Sequence, residues 1–438
     1  MSLKDFKKAR ADAITKYKHG VVEADANILI HKIILDSPQL TRLFSGFSYD
    51  RIHQSFGPES SGKSTVYTYI AGQLQDKMPK EIERLAKYFE DVKHDKDKAK
   101  KFREDYEDKQ VVAYLDYEGT FDPNFAQRLG LKIDDDHFVL IQADTLEEGF
   151  AMLEPMVKSG SLCCVIFDSD AAACSNLDLE SDFGSTGFNG AKDAAALAMV
   201  YKKYNVLARN YLTPMLVVSQ ERDNMNIMAK LPSTTGGKAI RFYASTRNRI
   251  TKLDTAKNKD GKDAGIKLRV RNYKNKTGTP WRDAELTLWF DTGIDSNLEY
   301  IDFIIEFELI EVKGGGNFAW EEKGMKCRGR DNLVNWLLAH PAEYDELKAK
   351  VNALLLDGNK LDLNNYNPEE DDIKEVAKNT NKTIEEVAEE ALKAAQAETN
   401  YSEEEETRAA EKVLAEDKLE SEEAANTAET EDVPVIPL

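Results

Sequence analysis

The sequence predicts an α/β fold, a twisted and mostly parallel sheet covered by helices, and three observations carry that reading. Four short apolar runs, 111–115, 138–141, 162–167 and 215–218, are separated by stretches of helical period. Near-continuous apolar runs of this length are strands buried on both faces, and their wide spacing leaves room for parallel crossovers. A glycine-rich turn follows a fifth, weaker run at 52–56 and opens a helix. Later segments, 267–270, 284–290 and 303–309, alternate apolar and polar residues and are expected to extend the sheet.

Taken in order, residues 1–19 read as a basic amphipathic helix, with Phe6, Ala9, Ala13 and Tyr17 at helical spacing, and 21–35 as an extended connector. Together, 1–35 form an arm outside the core. The core is expected to span 36–312. Its first helix covers 63–77, with Val66, Ile70 and Leu74 four apart on one face. Residues 79–109 are dense in Lys, Asp and Glu but place Ile82, Leu85 and Phe89 at helical spacing, which predicts a solvated helical hairpin inserted on the surface. Residues 313–360, with Trp320 and Trp336, are expected to form a small α+β unit, and 361–438 an acidic, largely disordered tail.

The net charge of −20 is unevenly placed. From Tyr366 onward there are 23 acidic and 7 basic residues, a net of −16 that leaves only −4 for the rest of the chain. Overall acidity therefore does not exclude nucleic acid as a partner of the body. The four cysteines, Cys163, Cys164, Cys174 and Cys327, lack zinc-ligand spacing, and two sit in an apolar run; a reducing, cytoplasmic compartment is expected. No apolar run is long enough to span a membrane.

The turn reads Gly57-Pro58-Glu59-Ser60-Ser61-Gly62-Lys63-Ser64-Thr65, the pattern G-x-x-x-x-G-K-[ST]. Glycines let the backbone close on phosphate oxygens and aim N–H groups at them, the lysine places a cation on the β- and γ-phosphates, and the hydroxyl of Ser64 suits Mg²⁺. The helix that follows adds the positive end of its dipole. The plain alternative is a chance match in a surface loop.

Two acids at strand ends argue against chance. Asp168 closes the run 162–167, where a carboxylate emerges at the carboxyl edge beside the turn and can help organise Mg²⁺; a capping role is its simpler reading. Glu118 follows the run 111–115 and is the candidate general base for an attacking water.

These motifs, with Asp116 to Pro123, Gln127-Arg128-Leu129-Gly130, Phe167-Asp168-Ser169, Val218-Ser219-Gln220, Thr234 to Ser245 and Lys274-Asn275-Lys276, resemble in order the RecA-type recombinases of bacteria and their phages, across roughly residues 35 to 357. The resemblance implies a RecA-like ATPase core that uses ATP and Mg²⁺. It implies Glu118 as the catalytic glutamate, Ser64 and Asp168 at the metal, and Asp122 and Phe125 at the adenine. The family usually has tyrosine at the latter position. It further implies Gln220 as a sensor of the γ-phosphate, and Lys274 and Lys276 as cations reaching the nucleotide of a neighbouring protomer; ordinary surface lysines are the alternative.

Two segments are then expected to line a filament axis and bind single-stranded DNA. One spans 179–190 with Phe188 and is followed by Lys192; the other spans 221–236 with Arg222, Met225, Ile227, Met228, Lys230, Thr235 and Gly236, and is followed by Gly237. Cations suit phosphates, and apolar side chains suit wedging between bases. Lys313, Lys323, Lys326, Arg328 and Arg330 could capture duplex DNA, and the acidic tail could compete with it. The expected assembly is a homo-oligomeric helical filament. Two alternatives keep the same core: a hexameric helicase, or an ATP-binding regulator of filaments. The insertion 79–109 and an incomplete glycine pattern over 37–56 depart from the family's common form.

Overall fold

A computed structural model describes residues 31–179, 190–222, 233–234, 239–258 and 260–356. The expected N-terminal helix, most of its connector and the acidic tail lie outside these residues. Within them, nine strands run side by side in the order Gly293–Ile294, Asp283–Trp289, Asp263–Asn275, Thr246–Lys257, Ile52–Gly57, Met215–Arg222, Leu162–Asp168, Val111–Asp116 and Phe138–Ile141. The last six are mutually parallel, and the first three pair antiparallel at one side. The α/β class with a mostly parallel sheet is borne out.

The order of the strands locates the site. From Ile52–Gly57 the chain crosses to Val111–Asp116 and Phe138–Ile141, then fills the gap with Leu162–Asp168 and Met215–Arg222. A crevice opens at the carboxyl ends of parallel strands where the order switches direction, and ligands of open α/β sheets bind there. Both sheet faces are covered, so side chains alternate between two apolar layers: Cys164 and Ile166 join one with Ile70, Leu74 and Leu216, whereas Val165 and Phe167 join the other with Leu153, Tyr201 and Val217.

The first core helix is longer than its spacing suggests. It spans Lys63–Asp91 and passes through Pro79. A proline inside a helix costs about 3 kcal/mol. Met78, Ile82, Leu85, Ala86 and Phe89 are all buried, and at roughly 1.5–3 kcal/mol per large apolar side chain their burial outweighs that cost. The insertion is therefore the continuation of this helix plus a return helix, Lys96–Asp105, capped by Asp95 and joined through Phe89–Phe102 ring contact at 5.4 Å and an Arg103–Glu83 ion pair at 2.7 Å. It is a hairpin, but its inner face belongs to the core. Its last residue, Lys109, is wholly buried, and its ammonium donates to the carbonyls of Leu162 (2.7 Å), Tyr211 (2.8 Å) and Gly160 (3.2 Å).

Residues 303–309 do not extend the sheet. Helix Ser296–Glu306 takes most of them, with Tyr300, Ile301, Phe303 and Ile304 buried. Apolar residues at i, i+1, i+3 and i+4 fit a helical face, and Asp295 caps its start by accepting from the Asn297 N–H at 3.1 Å. This helix packs with Arg330–Ala339, Pro341–Leu356 and a three-stranded antiparallel sheet, Glu311–Lys313, Asn317–Trp320 and Met325–Arg328, around a core including Trp320, Leu333 and Val351. Among the described residues, no helix is long and apolar enough to cross a membrane.

Candidate active site

The phosphate-binding turn sits where strand Ile52–Gly57 meets helix Lys63–Asp91. Two glycines have geometric reasons. Gly57 has φ +149, and a Cβ there would stand 2.1 Å from the Ile250 carbonyl oxygen; Gly62, in the left-handed region at φ +87, opens the helix with its N–H groups facing the turn. Ser60 is also left-handed, at φ 55. The Lys63 ammonium lies inside the turn, donating to the Pro58 carbonyl at 2.7 Å and the Gly57 carbonyl at 3.1 Å. Burial lowers its pKa, opposed by Asp168, Glu118, Glu221 and Glu59.

Parallel register aligns the acids. Asp116 pairs with Asp168, Asp168 with Val218, and Gly57 with Gln220, so these residues reach one edge of the sheet. The Asp168 carboxylate is buried. It accepts from the Tyr114 hydroxyl at 2.6 Å and is hydrogen-bonded to Ser64. Burial raises its pKa, and these two bonds pull it back down. Glu118, two residues beyond its strand, is exposed and accepts from the Ser169 hydroxyl at 2.5 Å and from the Gln220 amide at 3.1 Å. The structure thus brings together Lys63, Ser64, Glu118, Asp168 and Gln220.

Other candidates are placed differently. Asp122 caps helix Pro123–Arg128, accepting from the N–H groups of Asn124 (2.9 Å) and Phe125 (3.1 Å). Phe125 is half-buried against the first apolar layer, with the Arg128 guanidinium 5.6 Å from its ring centre. Lys274 and Lys276 stand at the opposite edge of the sheet. Lys274 pairs across to Arg247 and Arg247 to Gln54, three residues before Gly57, which is about 10 Å along a strand. Lys274 donates to the carbonyls of Arg241 and Phe242, and Lys276 to that of Phe242 at 3.1 Å. Burial, Lys276 and Arg247 push the Lys274 ammonium down to about 8.

Phe188, Met225, Ile227, Met228, Lys230, Thr235, Gly236 and Gly237 lie outside the described residues. Lys192 falls in helix Gly190–Tyr211 and Arg222 in strand Met215–Arg222, with no side-chain placement described.

Sequence reasoning missed three residues here. Asp116 accepts from the N–H groups of Gly119 (2.9 Å), Thr120 (3.2 Å) and Phe121 (3.2 Å), and so shapes the turn that presents Glu118. A carboxylate at a strand end three residues before a glycine is the readable signal. Glu221 forms a bidentate pair with Arg249 (3.0 and 3.1 Å) that bridges the carboxyl end of strand Ile52–Gly57. Tyr114 was read only as a strand residue.

The residues fit a nucleotide with Mg²⁺. The Ser61 hydroxyl is buried in the turn with no hydrogen-bond partner, and a serine hydroxyl beside an aspartate is an oxygen donor set suited to a hard cation. Among the described residues, no group of three or more His, Cys, Asp or Glu gathers as a protein-only metal site.

Comparison with known proteins agrees with this geometry. The RecA N-terminal domain family matches residues 99–295. Protein RecA of Limosilactobacillus reuteri (strain DSM 20016) is 29% identical over 310 residues, covering 70% of this chain and 74% of the relative. Protein RecA of Mycobacterium ulcerans (strain Agy99) is 29% identical over 308 residues, 70% of this chain and 78% of the relative. Protein RecA of Chlamydia pneumoniae is 28% identical over 339 residues, 77% of this chain and 82% of the relative. With the mostly parallel sheet and the glycine-rich turn at its carboxyl edge, these similarities support a divergent member of the RecA family.

Proposed function

We propose that the chain is a DNA-dependent ATPase acting as a recombinase: it binds ATP and Mg²⁺, forms a helical filament on single-stranded DNA, pairs that strand with a homologous duplex and exchanges strands. The observation that carries this reading is the Gln220–Glu118 hydrogen bond of 3.1 Å. It joins the carboxylate best placed to activate water to the strand whose last two residues open 221–236, the second expected DNA-binding segment.

Each residue has a role in this reading. Lys63 and the backbone N–H groups of the turn bind the phosphates; Ser64 and Asp168 hold Mg²⁺, which when bound neutralises charge developing on phosphate oxygens. Glu118 takes the proton of the attacking water, while Ser169 and Gln220 orient its carboxylate. Asp122, though it caps a helix, is exposed, and with Phe125 it flanks the adenine. The opposite-edge position of Lys274 and Lys276 favours action on a neighbour's nucleotide over their own. Phe188, Lys192, Arg222, Met225, Ile227, Met228, Lys230 and Thr235 to Gly237 contact single-stranded DNA, and the C-terminal unit contacts duplex. In that unit Lys313, Lys323 and Arg330 are paired with Glu311, Glu346 and Asp302, so Lys326 and Arg328 carry more of the duplex affinity. The protein acts in the cytoplasm.

The test is the ATPase rate with and without single-stranded DNA, for the wild type and Lys63→Ala. Strong stimulation that is lost in the variant supports the reading. No stimulation points to the filament regulator, and closed rings in electron microscopy point to the helicase.

A further inference from the structure

A continuous buried hydrogen-bond chain runs beneath the site on the sheet face opposite the phosphate-binding helix. The Arg247 guanidinium donates to Gln54 Oε1 at 2.6 Å, the Gln54 side-chain amide donates to the Ser219 hydroxyl at 2.8 Å, and that hydroxyl donates to Asp170 Oδ2 at 2.7 Å. The Tyr201 hydroxyl donates to the same oxygen at 3.1 Å. All five residues are buried; Gln54, Ser219 and Tyr201 are fully so.

The ends of this chain connect three elements. Tyr201 lies on helix Gly190–Tyr211, which begins directly after residues 180–189. Ser219 precedes Gln220 in strand Met215–Arg222, so the two side chains emerge on opposite faces of one strand end. Arg247 is paired in register with Lys274, whose ammonium holds the carbonyl end of helix Ala239–Tyr243, the element that follows residues 235–238. Buried polar chains are costly unless satisfied throughout, and a satisfied one fixes the relative position of everything it touches.

We infer that Arg247, Gln54, Ser219, Asp170 and Tyr201 form a positioning relay that sets the strand end bearing Gln220 against the two elements flanking the expected DNA-binding segments. This rests on the recombinase reading and deepens it. DNA engagement at 179–190 or 221–236 moves helix Gly190–Tyr211 or Ala239–Tyr243, and the relay passes that shift to Gln220 and hence to Glu118. None of the five touches the reacting atoms. Their effect is on coupling, expressed in the DNA-stimulated kcat.

The experiment compares Ser219→Val with Ser219→Thr. The two side chains have nearly the same shape and crowd the site equally, but only threonine keeps the hydroxyl that receives from Gln54 and gives to Asp170. ATPase is measured over a range of ATP, with and without single-stranded DNA, alongside thermal unfolding. Relative to Ser219→Thr, the valine variant is expected to lose at least tenfold in DNA-stimulated kcat, with KM for ATP and the DNA-free rate within twofold. Adding Gln220→Ala to Ser219→Val is expected to cost no more stimulation than Gln220→Ala alone, as for residues acting through one route.

Equal stimulation in the valine and threonine variants, or additive losses in the double variant, would overturn the relay and leave these residues as packing. Failure of the wild type itself to respond to DNA would overturn the recombinase reading and the relay with it. That outcome is separate from the first two. If both variants unfold, Asp170→Asn is measured by the same protocol, with the same loss of stimulation expected and unchanged stimulation counting against the relay.

Discussion

Glu118 and Gln220 meet through a 3.1 Å hydrogen bond, although their strands are not neighbours in the sheet: Leu162–Asp168 runs between them. The bond spans the carboxyl end of that strand, directly above Asp168 and Ser169. The Glu118 and Asp168 carboxylates and the Gln220 amide thus form one compact group. The parallel register produces it with little help from the loops.

Glu118→Gln is expected to retain ATP binding while lowering turnover by roughly 10²–10⁴-fold, the usual contribution of a positioned general base. Steady-state hydrolysis with parallel nucleotide titration measures both. Hydrolysis at the parent rate would show that another group activates water.

Lys63→Ala is expected to abolish turnover and weaken nucleotide binding, because the only cation inside the turn among the described residues is removed and the Gly57 and Pro58 carbonyls lose their donor. Nucleotide titration separates this from Glu118→Gln, which leaves affinity intact.

Glu299 ties helix Pro38–Phe44 to the C-terminal unit, accepting from the Ser37 hydroxyl at 2.6 Å and the Gln39 N–H at 3.2 Å. Burial, opposed by those two bonds, pushes its carboxyl up to about 7. The folded protein therefore holds this proton more tightly than the unfolded chain does. The resulting stability is fully present below about pH 4.5 and is lost as pH rises through about 7. Glu299→Gln is expected to remove this loss and gain about 3 kcal/mol over the wild type at pH 8. Denaturant unfolding at pH 5 and pH 8 tests it; an equal pH dependence in both proteins would contradict it.

Lys109→Met keeps the stem of the side chain but leaves the carbonyls of Gly160, Leu162 and Tyr211 without their buried donor. A loss of about 2–4 kcal/mol in stability is expected, with ATP affinity unchanged in the folded fraction. A stable variant would show that these carbonyls find other partners.

Much of the fold was legible because its signals are local. The strands around 111–116, 138–141, 162–168 and 215–222 are apolar runs, and the turn from Gly57 to Thr65 is a local pattern of glycines and small polar residues between a strand and a helix. What escaped depends on distant partners. Pro79 reads as a helix stop until the burial of Ile82, Leu85 and Phe89 is known. Residues 303–309 satisfy both strand and helix periods, and only packing against Leu333 and Val351 decides between them. Lys109 looks like one more charge in a solvated segment, because nothing local reveals the carbonyls that surround it. At the site, Asp168 and Glu118 were visible as acids at strand ends. The positions of Lys274 and Lys276 at the opposite edge required the register of three strands.

That opposite-edge placement gives the most direct test of the central claim, an ATP site completed between protomers. Lys63→Ala and the double variant Lys274→Ala/Lys276→Ala are each expected to be inactive alone on single-stranded DNA. Mixed in equal amounts, one supplies intact lysines and the other an intact phosphate-binding turn. Random head-to-tail assembly then restores roughly a quarter of the contacts and a corresponding share of wild-type ATPase. Activity no greater than that of the two variants measured separately would contradict a shared site and return these lysines to a role within their own chain.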